Sequence, residues 1–328
     1  MTRVRIGGGQ LTAEVWTLGA ALNAVEVPDA TGAVSSVVLG CRDEAARQAS
    51  KAYLGEIVGP YGNRIAKATF DLDGESYQLD RNFEGKHTLH GGAAGFSRQE
   101  WDILEQSDDS VTLGLVWTDT AGSHPGTITV RANYAVDGDT LTLVTEATTD
   151  APTVTNVVSH PYFNLGSTTV EDHVLQIAAS RFVNVDAEAI PLPDAPQAVA
   201  GDLDLREGKA LIESYGSSDP QLTQFGGLDH CFVLDGAGLR PVASLTCPTA
   251  GRRLMIQTDQ AGLQVYGGMF LGEEPVTVGP DGAYGNRAGV ALETQNLPDA
   301  PNRPDFPSSV LRPGEVQRAE VRWTFSTI

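Results

Sequence analysis

The most constraining feature of this chain is an alternation of apolar and polar residues with a period of two. The runs 111–117, 128–134 and 321–325 each place apolar side chains at every second position, as at Ile128 and Val130. One apolar face and one more polar, solvent-exposed face are typical of half-buried antiparallel strands. The pattern therefore predicts sheets rather than layers of helices.

Turn signals separate many of these runs. Asp73-Gly74, Asp137-Gly138 and Asp235-Gly236 each follow an apolar segment and precede another. Asp-Gly between alternating runs is a strong local signal for a hairpin. We therefore predict a hairpin at each of the three positions.

Helical signal is confined to short segments. Residues 43–51 predict two helical turns and residues 211–215 predict one. No long stripe with a period of 3.6 occurs, which argues against alternating strands and helices. Many short strands with frequent turns predict an all-β sandwich or barrel with few short helices. Because no linker or repeat interrupts the pattern, residues 1–328 are expected to form one domain.

The charge balance restricts the partners of the chain. There are 42 acidic and 22 basic residues, for a net charge of −20. Such a surface repels phosphate backbones and anionic lipids, so neither nucleic acid nor a membrane is expected as a partner. No run of about 18 apolar residues is available to span a bilayer.

The cysteines bear on the compartment. Cys41, Cys231 and Cys247 are odd in number and form no C-x-x-C pair, so we expect no disulfide framework and no zinc knuckle. Idle thiols are typical of a reducing compartment, and a cytoplasmic location is expected. The mildly basic N-terminus followed by an Ala-rich segment resembles a signal peptide weakly and leaves the periplasm open. A first β-strand is the preferred interpretation of that segment.

Candidate catalytic residues stand in unusual local contexts. His90 lies in Leu-His-Gly-Gly, where glycine permits close approach of a ligand, and His160 lies in Ser-His-Pro-Tyr. Glu293 lies in the apolar, strand-like stretch 289–295, which favours a partly buried carboxyl with a raised pKa. A general base near neutral pH needs such a pKa. From residue type alone each of the three remains open between a structural and a functional role.

Other polar residues also suggest contacts. Asp229 follows Gly-Gly-Leu and suits either a turn cap or an acceptor for sugar hydroxyls, and Arg64 suits an ion pair or a ligand contact. His87 and His90 have H-x-x-H spacing, but residues three apart on a strand face opposite sides, so no metal site is predicted. The chain has neither a P-loop nor a G-x-S-x-G elbow, which argues against nucleotide binding and a hydrolase triad.

Taken in order, the motifs resemble those of the aldose 1-epimerases, also called galactose mutarotases. The resemblance covers nearly the whole chain, and motifs in fixed order are far more specific than any one of them. They are Gly62-Asn63-Arg64-Ile65, Phe70 to Leu79, Leu89-His90-Gly91-Gly92 with Gly95-Phe96 and Trp101, Thr155-Asn156, His160 to Leu165, Asp229-His230 with Phe232-Val233-Leu234, Gln264-Val265-Tyr266, Leu292-Glu293-Thr294-Gln295, and Pro307 to Gly314.

The resemblance implies a fold, an activity and a set of roles. The fold is a large antiparallel β-sandwich of the galactose mutarotase type, and the activity interconverts the α and β anomers of a free aldose such as glucose, galactose or a pentose. Glu293 would be the general base and His160 the general acid, with Glu293 ionised and His160 charged. Neither a metal nor a cofactor is needed, and a monomer or homodimer is expected. The residues that would hold the sugar are Asn63, Arg64, His90, Asp229 and Gln264.

The sequence departs from the common family pattern at four positions. Pro60 stands where arginine is frequent, Ser159 and Pro161 flank the histidine in place of Asn and Ser, and Met269 replaces a frequent asparagine. Pro161 restricts His160 to an extended backbone, which suits a strand, so activity is expected to be retained. The four departures bear on which sugar is preferred.

Three other functions compete with this interpretation. A hexose-6-phosphate 1-epimerase would need a basic pocket, which the acidic composition disfavours. A non-catalytic carbohydrate-binding protein on the same fold would not need both Glu293 and His160. A glycosidase would need a second catalytic carboxylate, and we find one acid in a suitable motif.

Overall fold

A computed structural model describes residues 1–119, 123–273 and 277–328. Within these residues the chain is built from short antiparallel strands, as the alternating pattern predicts. The strands, numbered in chain order, are β1 Arg3–Gly8, β2 Leu11–Trp16, β3 Ala21–Pro28, β4 Val34–Ser36, β5 Ile57–Val58, β6 Arg64–Ile65, β7 Thr69–Leu72, β8 Glu75–Gln78, β9 Thr88–Leu89, β10 Asp102–Gln106, β11 Ser110–Thr118, β12 Thr127–Asp137, β13 Thr140–Thr149, β14 Thr153–Val154, β15 Val158–Ser159, β16 Tyr162–Phe163, β17 Val174–Ile177, β18 Arg181–Val183, β19 Gln197–Ala198, β20 Lys209–Ala210, β21 Asp229–Val233, β22 Arg240–Cys247, β23 Arg252–Thr258, β24 Gly262–Tyr266, β25 Val278–Gly279, β26 Gly282–Ala283, β27 Val290–Gln295, β28 Val310–Leu311 and β29 Gln317–Thr327.

The helices of the described residues are few and short. The predicted helical segments at 43–51 and 211–215 are confirmed as α1 (Glu44–Ala49) and α2 (Leu211–Tyr215), and a further short helix, α3 (Pro220–Thr223), was not predicted. Asp43 caps α1, since its carboxylate accepts the Ala46 N–H at 2.8 Å. Short 3-10 turns occupy Ala66–Ala68, Phe96–Arg98, Gly201–Leu203 and Ala300–Asn302.

The largest sheet has nine antiparallel strands in the order β10-β11-β12-β13-β29-β23-β22-β17-β20. Its longest strands carry the period-two pattern. Ile128, Val130 and Ala132 are fully buried, and Trp323 on β29 is 1% exposed. Burial of alternate side chains fixes the register, because a shift of one residue would turn the apolar set towards water.

A six-stranded antiparallel sheet, in the order β16-β27-β24-β21-β18-β19, contributes to the same core. Its second strand, β27, is buried along its whole length, from Val290 to Gln295. A strand buried on both faces does not alternate, which is why this segment reads as a continuous apolar run interrupted by Glu293. The predicted all-β fold with few short helices is confirmed.

Of the three predicted hairpins, two are confirmed and one is wrong. Asp73-Gly74 joins β7 to β8, and Asp137-Gly138 lies at the turn between β12 and β13. The prediction at Asp235-Gly236 was wrong, because β21 pairs with β18 and β24 whereas β22 pairs with β17 and β23. This turn therefore carries the chain from one sheet to the other, and a local dipeptide signal does not distinguish such a crossing from a hairpin.

The apolar N-terminal segment and the three cysteines are buried within the fold. The apolar segment 15–22 ends β2 and begins β3, so it is part of a sheet. Cys41, Cys231 and Cys247 are buried and free. Among the described residues, no helix is long and apolar enough to cross a membrane.

Candidate active site

The six-stranded sheet places three of the predicted site residues side by side. Gln264 on β24 pairs directly with Glu293 on β27, and Asp229 begins the neighbouring strand β21. Directly opposed residues of antiparallel strands project from the same face. Gln264 Nε2 donates to Asp229 Oδ1 at 2.6 Å, which links the neighbouring strands β24 and β21 across the face.

His160 reaches the same face from the edge of the sheet. It lies between β15, which pairs with β5, and β16, which pairs with β27. Its backbone N–H donates to the Glu56 carbonyl at 3.0 Å, and its own carbonyl accepts from Gly55 N–H at 2.9 Å. Its Nε2 lies 3.4 Å from Glu293 Oε1, and the two side chains are 5% and 3% exposed. The sheet edge thus brings the two predicted catalytic residues into contact.

The remaining predicted residues come from the short pair β6 and β9. Arg64 pairs with Leu89, so Asn63 and His90 lie at adjacent ends of the two strands. Arg64 Nη2 lies 3.7 Å from Asp229 Oδ2, and its guanidinium carbon lies 4.6 Å from the ring centre of Phe83. Both contacts hold the cation against the wall of the site.

These elements enclose a cleft of about 340 Å³. Its size suits a small molecule, and its lining combines aromatic rings with polar groups, as is common for ligand sites. Residues from separate parts of the sequence meet in it. All of the predicted site residues line this cleft, namely Asn63, Arg64, His90, His160, Asp229, Gln264 and Glu293.

Burial shifts the titration of the central pair. Burial raises the pKa of Glu293 well above its ordinary value, the charge of Asp229 raises it further, and Arg64 opposes the rise. Burial lowers the pKa of His160 to about 4. Desolvation opposes the charged form of each partner, whereas their mutual attraction favours the expected pair of an ionised Glu293 and a charged His160, which stays a prediction.

His90 is held in one neutral tautomer. The Asn63 backbone N–H donates to His90 Nδ1 at 3.1 Å, so the ring proton belongs on Nε2. Burial lowers the pKa of His90 well below its ordinary value, and His160 and Arg64 lower it further. His90 therefore presents a neutral N–H donor, and its ring lies 5.2 Å from that of His160.

The same groups also meet the spacing of a metal site. Ligand atoms of His90, His160 and Glu293 lie within 4.8 Å of one another. A metal ligand needs a lone pair on the coordinating nitrogen, whereas His90 Nδ1 already accepts a hydrogen bond and Nε2 carries the proton. The arrangement fits a donor to hydroxyl oxygens better than a metal ligand. His87 lies apart from this group, with its Nε2 3.0 Å from Glu188.

Aromatic and charged residues that the sequence analysis missed complete the lining. Tyr266 follows Gln264 by two positions on β24 and so shares its face, a signal that alternation alone supplies. Tyr162 follows His160 by two positions, and their rings stack at 5.0 Å. No local signal marks the others, since they reach the cleft from loops. The further lining residues are Lys51, Tyr53, Phe83, Glu84, Glu188, Phe225 and Phe270.

The four departures from the family pattern lie outside the described lining of the cleft. Pro60, Ser159 and Pro161 belong to the backbone segments behind it, and Met269 is 6% exposed. Any influence of these four residues on sugar preference therefore acts through neighbouring residues, and not through their own contact with a sugar in the cleft.

Comparison with known proteins identifies the family. The profile described as aldose 1-epimerase matches residues 2–324. An aldose 1-epimerase from Haemophilus influenzae is 36% identical over 292 residues, covering 88% of this chain and 83% of the relative. A galactose mutarotase from Bos taurus is 35% identical over 322 residues, covering 95% and 90%. The chain belongs to the aldose 1-epimerase family.

Solved structures agree with this aldose 1-epimerase assignment. An aldose epimerase homologue from C. elegans superposes with a TM-score of 0.92 at 30% identity, covering 100% of this chain and 99% of the other. A galactose 1-epimerase from Lactobacillus acidophilus superposes with a TM-score of 0.85 at 26% identity, covering 99% and 94%. The fold and the family predicted from the ordered motifs are confirmed, and with them the enzyme class, an isomerase.

Proposed function

We propose that this protein interconverts the α and β anomers of free, unphosphorylated aldoses, with Glu293 as general base and His160 as general acid. The observation that carries the proposal is the contact of 3.4 Å between His160 Nε2 and Glu293 Oε1 in a buried, polar cleft. A carboxyl and an imidazole that share one proton supply one acid and one base, which is what a reversible ring opening requires.

The reaction needs two proton movements. The C1 hydroxyl must lose a proton and the ring oxygen must gain one, after which rotation about C1–C2 and the reverse transfers close the ring on the other face. Hydroxyl groups of a bound sugar that donate to Glu293 favour its carboxylate form, which takes the C1 proton. The proton that the pair shares is then on His160, which gives it to the ring oxygen.

The surrounding residues suit a ligand with many hydroxyl groups. His90 offers a neutral N–H donor, Asp229 offers carboxylate acceptors, and Gln264 and Asn63 each offer an amide. The pairing of Gln264 with Asp229 orients both groups before a sugar arrives. Orientation before binding reduces the entropy that is lost on binding.

The charges of the cleft favour a neutral sugar over a sugar phosphate. Among its described lining residues, Glu84, Glu188, Asp229 and Glu293 are acidic, whereas Lys51 and Arg64 are basic. Arg64 is already paired with Asp229. A phosphate dianion would therefore meet repulsion without a cluster of cations to offset it.

Polarimetry of freshly dissolved α-D-glucose, α-D-galactose and a pentose tests the proposal. The purified protein should accelerate equilibration of at least one of these sugars above the buffer rate. Rates equal to buffer for every free sugar would contradict the proposal. Saturable sugar binding without acceleration would instead indicate a non-catalytic carbohydrate-binding protein, and acceleration only for a hexose 6-phosphate would indicate the phosphate-specific alternative.

We also propose that the whole chain acts as one catalytic domain in a reducing compartment. The site draws on residues from Asn63 to Glu293, and the hydrophobic core joins residues from Val4 to Phe325. The three buried, free cysteines support a cytoplasmic location.

A further inference from the structure

Tyr53 occupies an unusual place beside the two histidines of the cleft. Its ring centre lies 4.7 Å from that of His90 and 6.1 Å from that of His160. Its backbone has a φ of 55°, in the left-handed region that tyrosine rarely adopts. A strained backbone at a cleft persists only where surrounding contacts hold it in place, so the contacts of Tyr53 bear on its role.

Arg98 provides these contacts. Its guanidinium carbon lies 5.5 Å from the centre of the Tyr53 ring. Arg98 Nη2 donates to the Ser50 carbonyl at 2.9 Å, and Nη1 lies 3.5 Å from the Arg47 carbonyl. The cation therefore ties the end of α1 to the segment that carries Tyr53 and covers the ring at the same time.

The segment after Tyr53 holds the backbone of His160. Gly55 N–H donates to the His160 carbonyl, and the Glu56 carbonyl accepts from His160 N–H. Residues 53–56 thus contact both the ring and the main chain of His160. No ladder of a large sheet fixes Tyr53, in contrast to Tyr162, whose position on β16 is set by pairing with β27.

We infer that Tyr53, held by Arg98, is a positioning residue that keeps the imidazoles of His90 and His160 in their mutual geometry and shields them from water. The inference rests on the proposed role of His160. Displacement of a catalytic group by about 1 Å can cost about 100-fold in rate. Loss of the ring is therefore expected to act on turnover more than on sugar binding.

Shielding has a consequence for titration. The titratable groups that face the His160 ring are Glu293, His90, Tyr53 and Tyr162. Removal of the Tyr53 ring admits water to His160, which weakens the desolvation that lowers its pKa. The pKa of His160 should then rise from about 4 towards its ordinary value.

The test compares Tyr53→Leu, Tyr53→Phe and Arg98→Gln with the wild-type protein by polarimetry and by NMR titration of His160. Tyr77→Leu is the matched control, since it removes a tyrosine that stacks on Phe70 at 5.2 Å outside the cleft. Tyr53→Leu should lower kcat about 10- to 100-fold with KM within about threefold. Tyr53→Phe should restore most of kcat because the ring is kept, Arg98→Gln should be intermediate, and Tyr77→Leu should match the wild type.

The outcomes separate this inference from the proposed function. If the wild type is active and Tyr53→Leu keeps its kcat, or if only KM changes, the positioning role is wrong. An unchanged pKa of His160 in Tyr53→Leu also overturns it, and this titration does not depend on turnover. An inactive wild type would overturn the proposed function instead. Should Tyr53→Leu fail to fold, Arg98→Gln keeps the ring and provides the same two readouts.

Discussion

His160 Nε2 and Glu293 Oε1 lie 3.4 Å apart at the edge of the six-stranded sheet, although distant parts of the chain supply them. Pairing of β16 with β27 creates this contact. Tyr162 pairs with Ala291 in antiparallel register, His160 lies two residues before Tyr162, and Glu293 lies two residues after Ala291.

Glu293→Gln should lower kcat for anomer exchange by about 10²- to 10⁴-fold, the usual contribution of a positioned acid or base. The amide keeps the shape of the carboxyl but cannot accept the C1 proton. Polarimetry gives the rate, and circular dichroism checks the fold. Glu105→Gln is the control, because that side chain is 75% exposed and is not among the residues that line the cleft. A Glu293→Gln protein with wild-type kcat would remove Glu293 from the mechanism.

The pH profile of kcat/KM should be bell-shaped, with its acid limb near pH 4. Below the pKa of His160, which is about 4, the pair gains a second proton and no base remains. At high pH the pair loses its only proton and no acid remains. Rates measured from pH 3.5 to 9 and corrected for the buffer reaction test this, and an acid limb near the ordinary histidine value of about 6.5 would contradict it.

Asp229→Asn should move the alkaline limb of the same profile to lower pH. The charge of Asp229 raises the pKa of Glu293, and Arg64 opposes that rise. Removing the charge, and freeing Arg64 from its partner, both lower the pKa of Glu293. KM should also rise by about tenfold because a sugar contact is weakened. A limb that stays in place or moves upwards would show that Asp229 does not act on Glu293 through charge.

His124 should make stability fall as the pH is lowered. Burial lowers its pKa to about 4, so the folded state resists a proton that the unfolded state accepts below about 6.5. The loss begins near pH 6.5 and is complete near pH 4, and at pH 5 it amounts to about 2 kcal/mol. Urea denaturation at pH 7 and pH 5 gives the free energy of unfolding at each pH. The decrease from pH 7 to pH 5 should be smaller in His124→Leu than in the wild type by this amount. An equal difference in both proteins would argue that His124 titrates normally.

Arg47→Met should destabilise the protein by about 3 kcal/mol, the lower end of the range for breaking a buried pair. Arg47 and Glu56 are both fully buried, with Arg47 Nη1 3.1 Å from Glu56 Oε1. Burial already raises the pKa of Glu56, so protonation softens the loss. Urea denaturation measures the change, and Arg42→Met, at a side chain that is 58% exposed, should stay within about 0.5 kcal/mol. Equal effects of the two substitutions would contradict the importance of burial.

Local sequence patterns predict much of the fold. Alternation over 128–134 predicts a strand because side chains of a strand face opposite sides in turn. Residues 43–51 predict the short helix that the structure shows as α1. Glu293 stands out because a single acid interrupts an apolar run, and the ordered motifs assign it and His160 to a family. Each of these signals lies within a few residues of the chain, where local geometry and side-chain chemistry determine the outcome.

The sequence by itself therefore determined the strands, the family and the identity of the catalytic candidates. Only the tertiary structure decided that Asp235-Gly236 crosses between sheets, that Tyr53 covers the two histidines, and that burial raises the pKa of Glu293 and lowers that of His160. The physical reason is that strand pairing between distant segments and the loss of water around a group are properties of the packed molecule. Neither is present in a window of neighbouring residues.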